Sequence, residues 1–370
     1  HQNDKEMTPF IHLHVHSQYS VLDGQASIKA LVDKAIDNGM RGLAITDHGN
    51  MFGIKEFFDY VKKKNSDVDS EIKTLTKELK ALKETEVVDN TLVSEKEAAL
   101  NEAKKRVFVP IFGCEMYVAD GKMTDHSSKK DTGRHLVVLA KNQNGYHNLI
   151  KLVSNAWTDG YYYRPRTDKY QLEKYHEDLI VCSACLGGEI PRLIMQDNIE
   201  EAEKQILWFK RVFGEDYYLE LQRHKANVPR SNHEVYAMQQ KVNGVLIEMA
   251  KKHNIKLVCT NDVHFVNEED AEAHDRLICV STGTFLDDEK RMLYTKQEWM
   301  KTQEEMNDIF ADVPEALSNT LEVLEKVERY SINHDPILPN FPLPDGFTDN
   351  NEYLRYLVMQ GAEKRWGSNL

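Results

Sequence analysis

A chain of 370 residues, 41% hydrophobic and 29% charged, is long enough for one large domain or two ordinary ones, with a real core. Its net charge of −13 excludes a broad basic surface for duplex DNA, but not a local site where metal ions carry the positive charge. No run of about 18 apolar residues occurs, so no membrane span is expected, and five cysteines, an odd number, fit a reducing cytoplasm and not a disulfide framework.

His1 to Glu6 carry no signal-peptide pattern and read as a cloning or processing remnant before Met7. The first predicted strand, 10–15, runs into three histidines on alternate residues. Alternate side chains of a strand share a face, so His12, His14 and His16 stand together, opposite Leu13 and Val15. Further strands are predicted at 42–46, 107–118 with a break near Gly113, 135–140, 179–183, 217–222 and 256–260. Helices are predicted near 27–38, 53–64, 144–158, 198–213, 229–253 and 313–327. The alternation predicts an α/β fold with a mainly parallel sheet. About seven units in roughly 280 residues fit a barrel better than an open sheet.

Residues 65–106 break this rhythm. They are very polar, with Ile72, Leu75, Leu79 and Leu82 at spacings of three and four, a heptad-like seam. The stretch 88–92 has no such period and holds the turn pair Asp89 and Asn90, after which Ala98, Ala99, Leu100 and Ala103 resume a helical stripe. This predicts a helical hairpin inserted in a barrel loop, at 65–106 within a domain spanning 8–285. Residues 286–345 read as a helical extension ending in a linker rich in proline (Pro336, Pro339, Pro342, Pro344), and a short helix is predicted at 351–364.

Metal-binding residue types gather where strands meet loops: His14 and His16, Asp23 in the turn from Tyr19 to Gly24, His48, Glu115, His135, Cys185, and Asp262 with His264. In barrels of alternating strands and helices, catalytic groups collect at the C-terminal strand ends. Nine donors mixing imidazole, carboxylate and one thiolate fit a multinuclear site for zinc, manganese or iron. A carboxylate shared by two ions suits phosphodiester hydrolysis. His12 lies deeper in its strand and reads as a barrel-interior residue supporting the ligands. Cys182, Cys114 and Cys259 fall in apolar strands and read as core, leaving Cys185 as the ligand candidate. Tyr161, Tyr162, Tyr163, Arg164 and Arg166 could stack bases and hold the phosphates of a single strand, or form a structural loop fixed by Pro165.

His14, His16 and Ser17, the turn containing Asp23, Ile45 to His48, Glu115, His135, Cys185, and Asn261, Asp262 and His264 resemble the polymerase-and-histidinol-phosphatase (PHP) domain family. The stretches 10–24, 42–53, 142–152, 160–166 and 310–320 resemble the branch of it that opens bacterial replicative DNA polymerases. The resemblance covers roughly 8–365 apart from the insert. It implies a distorted seven-stranded barrel with three divalent metal ions. One would be held by His14, His16, Glu115 and Asp262, the catalytic group; a second by Glu115, His135 and Cys185; a third by Asp23, His48 and His264. An intact ligand set implies a metal-dependent 3′–5′ exonuclease that proofreads primer 3′ ends or single strands, in the cytoplasm. The implied partners are the remaining polymerase domains and replisome subunits, with no membrane. Residues 346–370 would begin a polymerase palm, so a longer protein is expected. Two other functions compete: a non-catalytic metal-binding scaffold, and a small-molecule phosphatase acting on histidinol-phosphate-like monoesters.

Overall fold

The computed structural model describes residues 6–368, so most of the expected leading remnant lies outside the described residues. The chain divides into a unit ending at Tyr330 and a second from Ser331. Residues 286–330, expected as an extension beyond the barrel, belong to the first unit, because their side chains complete its hydrogen bonding. The Gln303 side chain accepts from Phe10 N–H at 3.0 Å, and Thr320 Oγ1 accepts from Ile11 N–H at 3.1 Å.

The strands are β1 (Gly42–Ile45), β2 (Val109–Val118), β3 (Arg134–Ala140), β4 (Tyr161–Tyr162), β5 (Arg164–Thr167), β6 (Leu179–Cys182), β7 (Tyr217–Leu221) and β8 (Lys256–Cys259). β1 lies parallel to β2, β2 antiparallel to β3, β3 antiparallel to β6, and β6, β7 and β8 run parallel. The expected first strand is not a regular ladder strand, since several of its amides bond side chains instead of a neighbouring strand, Val15 N–H donating to Thr46 Oγ1 at 2.9 Å. The segment is nonetheless extended and closes the sheet. Ala44 and Thr46 donate to the carbonyls of His12 and Val15, and beyond β8 His16 N–H donates to the Val263 carbonyl while Val263 N–H donates to the His14 carbonyl. The result is an irregular seven-stranded ring.

The sheet is mainly parallel, as expected, with β3 reversed. The connection 119–133 contains no helix, and without a crossover the chain returns antiparallel. The reversal has a chemical consequence: the first residues of β3 lie at the rim where the other strands end, so His135 reaches it from a strand start. The β4–β5 hairpin, not anticipated from sequence, joins the end of β2.

Helices cover the ring through one apolar stripe each. In the helix Ile28–Asp37, the buried residues Ile28, Leu31, Val32 and Ala35 recur at helical spacing, and Ser27 Oγ caps the start by accepting from Ala30 N–H at 3.2 Å. The predicted helix near 229–253 is shorter, Val235–His253. Helices Lys169–Lys174, Glu189–Met195, Ala271–Thr282 and Gln303–Ile309 are too short or too evenly polar to announce themselves by period.

The insert is a hairpin of helices Ser66–Lys83 and Asn90–Lys105. Ile72, Leu75, Leu79 and Leu82 are half-buried. The opposing stripe is Val93, Leu100 and Ala103, whereas Ala98 and Ala99 are exposed; spacings of seven and three, not adjacency, keep residues on one helical face. At the root, the Asn65 side chain accepts from Phe108 N–H at 3.0 Å and donates to Phe108 carbonyl at 2.8 Å. Replacing 66–105 with a short Gly/Ser link, keeping this pair, should leave the barrel's thermal midpoint within a few degrees of the parent. A collapse of the midpoint in calorimetry would show that the hairpin is part of the core.

The second unit contains the helix Asn350–Trp366, slightly longer than predicted, with Tyr353 and Tyr356 against Phe347 at ring-centre distances of 4.9 and 5.1 Å. Among the described residues no helix is long and apolar enough to cross a membrane.

Candidate metal centre

The strand ends bring all nine predicted donors to one place, arranged around Glu115. His14 Nε2 lies 2.9 Å from Glu115 Oε1 and 3.1 Å from Asp262 Oδ1. His16 Nε2 lies 3.0 Å from the same Asp262 oxygen and 3.6 Å from Glu115 Oε1. On another side, His135 Nδ1 is 3.3 Å from Glu115 Oε1 and 3.3 Å from Cys185 Sγ. The second Glu115 oxygen faces His48 Nδ1. His48 Nε2 and His264 Nε2 flank Asp23 Oδ2 at 2.9 and 3.5 Å.

Among the described residues, donor atoms cluster within 4.8 Å of one another in three sets: His14, His16, Glu115 and Asp262; Glu115, His135 and Cys185; and His16, His48 and His264. The first two are the sets expected. The third has His16 where Asp23 was expected, with Asp23 alongside, so His16 joins two sets.

Local backbone makes these placements. Asp262 and Ala184 hold φ of 46° and 68°, in the left-handed region. Such a conformation is costly for alanine, and here it turns the chain at the end of β6. The following Gly187 must approach His135 closely, for a Cβ there would sit 2.8 Å from His135 Nδ1.

Electrostatics define what the cluster can accept. Burial alone would raise the Glu115 carboxyl, yet the imidazoles of His135, His48 and His16 hold it well below the usual carboxylate range. Burial opposes ionisation of Asp23 too, and His48 and His264 overcome it. Burial, with Asp262 and Glu115 nearby, pushes the Cys185 thiol up, so only an added cation would favour its thiolate. Buried Asp23 Oδ1 has no hydrogen-bond partner, and the buried Glu115 Oε2 and His48 Nδ1 face only each other. An orphaned carboxylate oxygen in a converging imidazole, carboxylate and thiol set fits divalent cations.

Several supporting residues escape the sequence reading. Glu220, fully buried on β7, lies 2.6 Å from His14 Nδ1 and accepts from Thr260 Oγ1 and Gln222 Nε2 at 2.5 and 2.8 Å. A lone carboxylate in an otherwise apolar strand was its available signal. Asp47 accepts from Ser17 N–H and from Ser20 Oγ, and Ser20 Oγ is 3.0 Å from His16 Nδ1. Tyr294 donates to Asp23 Oδ2 at 2.9 Å, and nothing in its local sequence marks it. His12 makes no contact with the cluster; it is buried, bonded to the Lys301 carbonyl at 2.7 Å, and pushed down to about 4 by burial. Cys114, Cys182 and Cys259 are buried, as read from their strands, and all five cysteines are free.

The predicted substrate-binding loop divides. Arg166 is fully buried and donates to four backbone carbonyls, those of Gly160, Met123, Asp125 and Asp131, so it is turned away from any phosphate at the surface. Tyr162 is held between His126 and the Arg166 guanidinium, with ring-centre distances of 4.8 and 5.3 Å. These two are structural. Tyr161, Tyr163 and Arg164 are exposed.

The chain belongs to the PHP domain family, whose model matches residues 12–224. Its relatives align with almost the whole of this chain. DNA polymerase III subunit alpha of Borreliella burgdorferi is 40% identical over 363 residues, covering 96% of this chain and 27% of that protein. The protein of the same name from Treponema pallidum is 34% identical over 361 residues, covering 96% of this chain and 26% of its own. The chain thus spans about a quarter of the length of the curated relatives it matches. A solved amidohydrolase from Chromobacterium violaceum aligns with 70% of this chain and 88% of its own at 13% identity and a TM-score of 0.38.

Proposed function

We propose that this chain is the metal-dependent phosphodiesterase part of a bacterial DNA polymerase III alpha subunit, and that it removes nucleotides 3′ to 5′ from a single strand or frayed primer end. The observation that carries this reading is Glu115, whose two oxygens stand at once against His14, His135 and His48. A proofreading role brings the remaining polymerase domains and replisome subunits as partners, in the cytoplasm, with 346–370 as the start of the palm.

Three divalent ions, of zinc, manganese or iron, would be held by His14, His16, Glu115 and Asp262; by Glu115, His135 and Cys185; and by His48 and His264 with Asp23. Bound there, they would acidify a water and offset charge on the phosphoryl oxygens. The chain's own residues do the rest. Glu220 fixes the tautomer and ring plane of His14, leaving Nε2 to point at Glu115 and Asp262. Asp47, through Ser20, does the same for His16. Tyr294 fixes the Asp23 carboxylate opposite His48 and His264.

Two cysteine variants test the ligand assignment. Cys185→Ala should lose about one ion per chain in elemental analysis and keep its fold. Cys182→Ala, fully buried in β6, should keep its metal and lose roughly 1–2 kcal/mol of stability. Full metal content in both variants would exclude Cys185 from the centre.

A further inference from the structure

Three aromatic rings lie in a row on the surface beside the cluster: Phe52, Trp157 and Tyr161, exposed by 59%, 41% and 50%. The Phe52 and Trp157 ring centres are 6.1 Å apart, and those of Trp157 and Tyr161 are 5.7 Å apart. The row is continuous with the metal-ligating loop. Trp157 Nε1 donates to Gly49 carbonyl at 2.8 Å, Gly49 N–H donates to Glu115 carbonyl at 2.9 Å, and His48 is the adjacent residue. Asn50 holds the loop from both sides, donating to the Tyr19 carbonyl and accepting from Phe52 N–H. The rings therefore stand at fixed positions relative to Glu115.

Charge accompanies them. The Arg164 guanidinium sits 5.0 Å above the Tyr117 ring, which itself stacks on His48 at 6.2 Å. Arg134, the residue before His135, has its guanidinium 3.4 Å from the Asp120 carboxylate. Arg164 thus brings one exposed positive charge beside the ring that stacks on His48.

Resting on the exonuclease reading above, we propose that Phe52, Trp157 and Tyr161 form a base-stacking platform for a single DNA strand, with Arg164 taking a phosphate, and that it leads the 3′ end to the Glu115 cluster. Every base presents an apolar face, so stacking on fixed rings accepts any sequence, as an enzyme shortening arbitrary strands requires. Exposed rings with the Arg164 guanidinium near them match the alternation of bases and phosphates in such a strand.

Fluorescence anisotropy of a fluorescein-labelled oligothymidylate on the full chain, with chelator present, measures binding without cleavage. Phe52→Ala and Tyr161→Ala should each weaken binding about tenfold, and Tyr161→Phe should restore it. Arg164→Ala should reduce the slope of log affinity against log salt by about 0.7, one single-strand phosphate contact, whereas Phe52→Ala should leave the slope alone. Tyr170→Ala, which removes an exposed ring elsewhere, should bind as the parent does. The platform is overturned if the oligonucleotide does not bind, if Phe52→Ala and Tyr161→Ala bind as the parent does, or if Tyr170→Ala loses as much. Weakened binding by Phe52→Ala, with no strand cleavage by the metal-loaded parent, would keep the platform and sink the exonuclease reading. Cleavage by the parent with unchanged binding in Phe52→Ala would do the reverse.

Discussion

Glu115→Ala should lose at least two of the bound ions and lower strand-degrading activity by at least about a hundredfold. Changing a residue that merely supports a ligand costs roughly 10- to 100-fold, and Glu115 touches more of the centre than any single supporting residue does. Its loss leaves His14, His48 and His135 facing one another across the space the carboxylate filled. Glu115→Gln keeps the volume but removes the charge, and should lose metal nearly as completely. Elemental analysis alongside initial rates checks both. Metal content and rates equal to the parent's would remove Glu115 from the centre.

Arg166→Ala should destabilise the fold by about 3–5 kcal/mol, because it empties a buried site and strands the carbonyls of Met123, Asp125 and Asp131 without donors, whereas the Gly160 carbonyl keeps the backbone N–H of residue 166. Arg164→Ala, two residues away and exposed, should change stability by less than about 0.5 kcal/mol. Urea unfolding curves separate them. An unchanged midpoint for Arg166→Ala would mean that the buried guanidinium contributes nothing to the fold.

That contrast shows where local sequence stops being informative. Arg164 and Arg166 are the same residue type on one strand, and the loop 123–131 folding over Arg166 makes one structural while the other stays exposed. The nine donors, by comparison, were legible because they are costly residue types in or beside apolar runs that read as strands. Their sharing was less so: His16 stands in two donor sets because the chain turns at Asp262, a left-handed residue no pattern announces. The reversal of β3 was hidden for a similar reason. An apolar run gives a strand but not its direction, and here a helix-free connection decided it. Glu220 and Tyr294 act through contacts spanning 206 and 271 residues of sequence, beyond any local period.

Degradation of a single strand labelled at its 5′ end tests the central claim most directly, with metal content determined on the same preparation. The metal-loaded chain should give products shortening stepwise from the 3′ end; chelator should stop the reaction, His14→Ala should be nearly inactive, and a small phosphomonoester should be left intact. A metal-loaded chain that leaves the strand whole would contradict the account and favour a scaffold, and a His14→Ala variant as fast as the parent would place the activity elsewhere.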